Sequence, residues 1–246
     1  MLPKAHPRYL SLKYRHLIDD GVKKGIVTPT GMIAHGRGEA LDYLMGEKTS
    51  RAAEKAAEAA AAMMLLAERA VVSVNGNAAV LAADEIIKLA KVCNAKIEAN
   101  VFYAPAAKRR KLIVDLFWKK GAHILGRKTD AKIKGLSSER ANVSREGIYK
   151  ADVVLVMLED GDRTEALRKA GKKVIAIDLN PLSRTAVKAD VSIADNIVRA
   201  LPLIAKKAKS LKRKNSKQLK LIVRKFSNKR NIKESLKIIS KAASGP

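Results

Sequence analysis

The sequence predicts an α/β fold built on a mainly parallel sheet. Three observations carry that reading. Short apolar runs rich in β-branched residues recur along the chain, as expected of strands buried on both faces. Helix-prone segments alternate with them, which calls for crossovers and parallel pairing. Polar and acidic residues follow the runs at once, at the carboxyl ends where open α/β sheets place their ligands.

The pattern is clearest over residues 151–199. Residues 153–158 form a buried strand, followed directly by Glu159, Asp160, Gly161 and Asp162. A short helix over 163–170 is stopped by Gly171 as a C′ glycine. A second strand, 173–177, ends in Asp178-Leu179-Asn180-Pro181, where Asn180 reads as an N-cap ahead of a proline at the first helical position. A third strand covers 191–193, with Asp195 capping the next helix.

From the N-terminus, Leu10, Leu12, Leu17, Ile18 and Val22 predict an amphipathic helix over 9–25. GMIAHGRGE at 31–39 begins like a P-loop, but Arg37 and Gly38 stand where Lys and Ser/Thr are required. It reads as a tight Gly-Arg-Gly turn beside His35 and Glu39, either an ordinary loop or a place where backbone and guanidinium approach an anion. Thr49-Ser50 cap an Ala-rich helix that runs to about Glu68. A strand at 70–74 runs into Asn75-Gly76-Asn77, and a helix over 83–92 argues against a hairpin there. Strand 96–102, helix 108–120 with Trp118 in the core, and a short strand at 123–125 follow. Residues 130–149 are turn-rich and read as an excursion from the sheet. Pro202 should kink or restart its helix. Two basic amphipathic helices, 216–226 and 232–242, precede an end that frays.

Composition narrows the function classes. The net charge is +26, and +14 of it lies in residues 206–246, with 15 Lys or Arg against Glu234 alone. That tail reads first as the solvated face of terminal helices; the alternative is a nucleic-acid patch. Phe226 is its one aromatic, so it offers no stacking platform for bases. The single cysteine, Cys93, excludes an internal disulfide and reads as a buried inert thiol. The absence of an apolar signal core or a transmembrane run leads us to expect a cytoplasmic protein. His6, His16, His35 and His123 have no partners at ligand spacing, so no metal site is assigned. G-x-S-x-G is absent, which removes the usual serine hydrolases. What remains is a set of carboxylates and amides at strand ends with arginines nearby in sequence. Carboxylates suit ribose hydroxyls or Mg²⁺, and arginines and helix N-termini suit phosphates. The combination points to a nucleotide pocket of an unusual type.

Several stretches resemble a known family: HPRYLSLKYR at 6–15, HGRGEALDYL at 35–44, VVSVNGN at 71–77, ADVVLVMLEDGDRTEAL at 151–167, IDLNPLSRTA at 177–186 and DNIVRA at 195–200. Together they are similar to the archaeal phosphopantothenate synthetases, the 4-phosphopantoate–β-alanine ligases. The resemblance runs to about Pro202; beyond Ala205 it is one of placement only. It implies a Rossmann-like three-layer ligase domain with an N-terminal helical segment over 1–205 and a Lys/Arg-rich helical extension over 206–246. It further implies a cytoplasmic homodimer that uses ATP and Mg²⁺ to join 4-phosphopantoate to β-alanine through an acyl-adenylate, in coenzyme A biosynthesis. By the family pattern Arg15, Arg37, Asp178, Leu179, Asn180, Arg184, Thr185, Asn196 and Ile197 bind ATP. Arg37 also joins the catalytic set, to which Asn77, Asp160 and Arg163 are added as candidates for substrate or Mg²⁺. Glu39, His35 and Asp160 stay open as the base for the amine, and the Ala-rich helix and N-terminal segment as dimer surfaces. The alternatives are a nucleic-acid-binding protein acting through its basic tail, and a related nucleotide-dependent ligase for another acid.

Overall fold

Apolar residues alternate between two cores along every central strand, and this alternation fixes the layers. In the computed structural model, which describes residues 3–243, the elements run α1 (Tyr9–Lys23), α2 (Pro29–Leu44), α3 (Arg51–Leu66), β1 (Ala70–Val74), α4 (Gly76–Cys93), β2 (Lys96–Ala99) and α5 (Ala106–Lys119). A small hairpin-like pair, β3 (Ala131–Lys132) and β4 (Asn142–Val143), follows. Then come β5 (Val153–Met157), α6 (Gly161–Lys169), β6 (Lys173–Ile177), α7 (Arg184–Lys188), β7 (Val191–Ile193), α8 (Ile197–Leu211), α9 (Ser216–Lys225) and α10 (Asn228–Ala243). Val153, Leu155 and Met157 face the core shared with α3, α4 and α8, whereas Val154 and Val156 face α6 and the 130–149 excursion. The result is the expected three-layer α/β architecture.

The central sheet has the order β2-β1-β5-β6-β7, and every pair in it is parallel. The chain leaves β1 for β2 on one side and resumes at β5 on the other. The switch point therefore lies between the carboxyl ends of β1 and β5.

Small residues let helices close on that sheet. In α3, Ala52, Ala53, Ala56, Ala57 and Ala59 through Ala62 are all buried, so α8 and α9 approach its backbone. The boundary expected at 205/206 falls inside α8. Beyond it, Leu219, Ile222, Val223 and Phe226 pack on the main core. The Asn228 side chain accepts from the Ser192 N–H at 2.8 Å, and Asn231 donates to the Ser192 carbonyl at 2.7 Å. The basic helices thus cover the exposed edge of β7 and keep their lysines on the outer face.

Local chemistry overrode the sequence expectation in several places. Residues 31–39 are not a turn but the body of α2. Thr28 accepts from the Gly31 N–H at 3.0 Å as N-cap, and Pro29 starts the helix. Helix α4 begins at Gly76 rather than 83, because Asn75 caps it through the Ala78 N–H; the chain departs from helical geometry at Ala82. Strand β2 stops at Ala99, and 123–125 contributes only a single bridge, Leu125 to Glu98. Trp118 is 62% exposed: Ile113, Val114 and Phe117 fill the core, and one residue further the helix has turned toward solvent. Ser183, not Asn180, caps α7; the Asn180 side chain closes a turn onto the Leu182 N–H instead. Asn196, not Asp195, caps α8, and α8 runs through Pro202 without restarting. The frayed end expected after 243 lies outside the described residues.

The 130–149 excursion is pinned to the sheet by a buried acid. The Glu98 carboxylate accepts from the Ser144 and Ile148 N–H groups, each at 2.7 Å. Burial pushes this carboxyl above the usual glutamate range despite those bonds. Gly147 makes room for it, since a Cβ there would overlap the carboxylate.

The glycines of α2 give opposite expectations at two positions. A Cβ at Gly36 meets nothing within 4 Å, whereas one at Gly31 would lie 2.5 Å from Asn77 Oδ1. Gly36→Ala should raise stability by about 1 kcal/mol through helix propensity, and Gly31→Ala should lower it. Urea unfolding of the two variants checks the sign.

Candidate active site

A cleft of about 190 Å³ opens over the carboxyl ends of β1 and β5, at the switch point of the sheet. One wall is α2 with its cap, through Thr28, Thr30, Gly31, Ala34 and Arg37. Its floor is the start of α4, Asn75-Gly76-Asn77, whose backbone N–H groups lie at a positive helix end. Val101, Phe102, Tyr103 and Arg109 close the β2 side, and Arg140 reaches in from the excursion. Leu158 and Asp160 follow β5. Leu158 sits in the left-handed region at φ 50°, where a side chain is strained. Asn75 supports this bend by donating to the Met157 and Leu158 carbonyls at 2.8 and 3.1 Å.

The charge of the cleft is organised by Glu159. Its carboxylate takes Arg140 at 2.8 and 2.9 Å and also ion-pairs with Arg163. Arg163 is fully buried beneath the cleft, where it donates to Ser73 Oγ at 3.0 Å. Arg140 also reaches Asp160 at 3.2 Å. Asp160 is the one carboxylate among the described residues lining the cleft, against Arg37, Arg109 and Arg140. Burial pushes its carboxyl up, and Arg140 pulls it back.

A second group stands at the end of β6. Asp178 accepts from the Ser183 hydroxyl at 2.6 Å and the Asn180 N–H at 2.9 Å. Burial pushes its carboxyl up; the Ser183 and Asn180 bonds and the charge of Arg37 oppose that shift. The charge of Arg37, which lines the cleft, is thus felt at the second group. Leu179 is buried beside Met45 and Ala194, in reach of α2 because position 38 is glycine. Thr185 donates to the Glu159 carbonyl at 2.6 Å, and Arg184 is exposed, 3.9 Å from Glu165. Asn196 donates to Asp42 of α2 at 3.0 Å, next to the Arg199 pairs with Asp42 and Asp195, while Ile197 is core. Arg15 lies on α1, held by Glu39 at 2.8 Å.

Of the residues singled out from sequence, Arg37, Asn77 and Asp160 line the cleft itself, and Arg163 supports it from below. Asp178, Leu179, Asn180, Arg184 and Thr185 flank it at the next strand end. Glu39 is held below the ordinary range: burial pushes it up, but the Arg15 and Tyr43 hydrogen bonds outweigh burial. Neither Glu39 nor His35 lines the cleft, which leaves Asp160 as the acid that does. Arg109, Arg140 and Tyr103 were missed from sequence. For Arg109 a signal existed: Lys108-Arg109-Arg110 sit near the start of a helix, the end of the macrodipole that disfavours cations. Arg140 had none, since it comes from an irregular segment. Cys93 is buried, its thiol pushed up to about 11, and takes no part. No cluster of three or more His, Cys, Asp or Glu suited to a metal occurs among the described residues.

Known proteins match this chain over nearly its whole length. It is 50% identical over 236 residues to the 4-phosphopantoate–β-alanine ligase of Thermococcus kodakarensis, covering 96% of this chain and 90% of that protein. It is 47% identical over 235 residues to the ligase of the same name from Methanosarcina mazei, covering 96% and 92%. The stretch matching the phosphopantothenate/pantothenate synthetase family, residues 52–242, takes in β1, β5, β6 and the basic helices α9 and α10. On that match and those identities, the chain belongs to the phosphopantothenate/pantothenate synthetase family.

Proposed function

We propose that this protein is a 4-phosphopantoate–β-alanine ligase, an ATP-dependent enzyme of coenzyme A biosynthesis. The observation that carries the reading is the arginine-lined cleft at the switch point, in a chain half identical to ligases of that name. The acid's carboxylate oxygen attacks the α-phosphate of ATP, and the bond to diphosphate breaks. The β-alanine amine then attacks the acyl carbon of the adenylate; AMP leaves, and the nitrogen loses a proton to form the amide. Both steps need cations on phosphate oxygens and a held nucleophile more than they need covalent participation by the protein.

The ATP-binding set is Arg15, Arg37, Asp178-Leu179-Asn180, Arg184-Thr185 and Asn196-Ile197. Asp178 suits a ribose hydroxyl, and Arg37 stands between it and the cleft, where the α-phosphate must meet the acid. Mg²⁺ would arrive on the triphosphate rather than in a protein cage, and Asp160 is the cleft carboxylate that could contact it. When no cation occupies it, Asp160 is also the cleft acid that could accept the amine proton, its affinity for protons raised by burial and lowered by Arg140. Asn77 donates to the Gly31 carbonyl at 2.8 Å and so fixes the cleft wall, and Arg163 acts through Glu159.

We place the enzyme in the cytoplasm as a homodimer. No helix among the described residues is long and apolar enough to cross a membrane. The N-terminal hairpin of helices leaves Leu10, Met32, Ile33, Tyr43 and Leu44 exposed, an apolar surface suited to a second copy. Sedimentation should give about twice the chain mass of 26.8 kDa.

The deciding assay follows AMP release from ATP and Mg²⁺ with 4-phosphopantoate present and β-alanine supplied or withheld. AMP that requires both establishes the ligase; turnover with another hydroxy acid alone would change the substrate and keep the chemistry. No AMP under any combination would overturn the proposal. Arg37→Ala should reduce kcat/KM about 100-fold without changing the melting temperature, because an exposed charged side chain is removed from a phosphate. Asp178→Asn should weaken ATP binding about tenfold by calorimetry, and unchanged affinity would remove Asp178 from the ribose site.

A further inference from the structure

The three cleft arginines are not equivalent. Arg140 is committed to Glu159 and Asp160. Arg37 faces Asp178. Arg109 has no carboxylate partner among the described residues: its Nη1 donates to the Tyr103 carbonyl at 2.9 Å, and its Nε is buried without an acceptor. Burial alone acts on it, pushing its guanidinium below the ordinary arginine range. Its neighbour Arg110 is answered by Glu139 at 3.5 Å, and Arg37 is exposed to solvent, so among the cleft arginines the partly buried charge without an ion pair is that of Arg109. Arg109 also stands near the positive end of α5 and lines a cleft whose floor is the positive end of α4. An unpaired, partly desolvated guanidinium among two helix N-termini calls for an anion of high charge.

The topology says which anion. Arg109 follows β2, and Asp178 follows β6, on opposite sides of the switch point. The acid must present its carboxylate toward the Asp178 side, where it meets ATP. Its other end then points toward α5. We propose that Arg109 binds the phosphate of the acid substrate and sets the enzyme's preference for the phosphorylated acid over the unphosphorylated one. The proposal rests on the ligase reading above and deepens it.

The test compares kcat/KM for 4-phosphopantoate and pantoate in the wild type, Arg109→Met and Arg109→Lys, with thermal unfolding to verify the fold. Losing a charge-assisted contact in a partly buried site should lower the ratio of the two about 100-fold in Arg109→Met and about tenfold in Arg109→Lys. Calorimetric titration with 4-phosphopantoate alone should show binding to the wild type, competed by inorganic phosphate, and a matching loss in Arg109→Met. That titration decides if pantoate turnover falls below detection. An unchanged ratio and unchanged binding would overturn the proposal. So would a rise in KM for β-alanine that is equal with both acids, which would assign Arg109 to the amino acid's carboxylate. A wild type that forms no AMP with either acid fails the ligase reading instead, whatever the variants do.

Discussion

One carboxylate, that of Glu159, holds two buried arginines, and the site is arranged around it. Taking three charges out of water costs several kcal/mol per ion unless they are paired and hydrogen-bonded. Here Arg163 and Arg140 share Glu159, Arg163 adds Ser73 on β1, and Glu98 contributes further negative potential to Arg163, whose Nε and Nη2 stay without an acceptor. The cluster joins four parts of the chain: β1, the end of β5, α6 and the 130–149 excursion. The Glu159 backbone carbonyl adds a fifth by accepting from Thr185 of α7. A group that costs energy to bury thus fixes where Arg140 enters the cleft and where α7 docks.

Much of this was legible in the sequence, for a definable reason. Strands buried on both faces leave a local signature, and β1, β5, β6 and β7 were read to within a residue or two. Cap chemistry was legible at Thr49-Ser50, where Thr49 donates to Asp195 and Ser50 caps α3. It failed where the choice between two polar neighbours turned on distant partners. Asp195 and Asn196 are adjacent, and Asp195 is drawn to Thr49 and Arg199, which leaves Asn196 to cap α8. The glycine-rich stretch of α2 misled because propensity is a weak prior. Gly31 and Gly38 are there for close approach to Asn77 and Leu179, and a helix with a good cap tolerates them. Arg37, Asn77 and Asp160 were found because motifs place them at strand ends or beside a glycine. Arg109 and Arg140 escaped because their role depends on which partners they lack or possess in three dimensions.

The basic tail carries more than half the net charge, and its helices are nonetheless part of the core. Their apolar sides cover α3 and the edge of β7, so the lysines follow from a solvated outer face. High net charge raises self-repulsion and solubility together. The amphipathic stripe decides that these helices fold; the charge decides what surface they present.

That edge coverage has a consequence for how the charge can be studied. Removing the last 41 residues would cut α8 in its middle and strip Asn228 and Asn231 from β7. The new open edge would invite pairing with other chains, so a truncated protein would report on aggregation rather than on affinity for polyanions. The surface charge of this protein is separable from its fold only by exchanging lysines for neutral or acidic residues in place, with the backbone left whole.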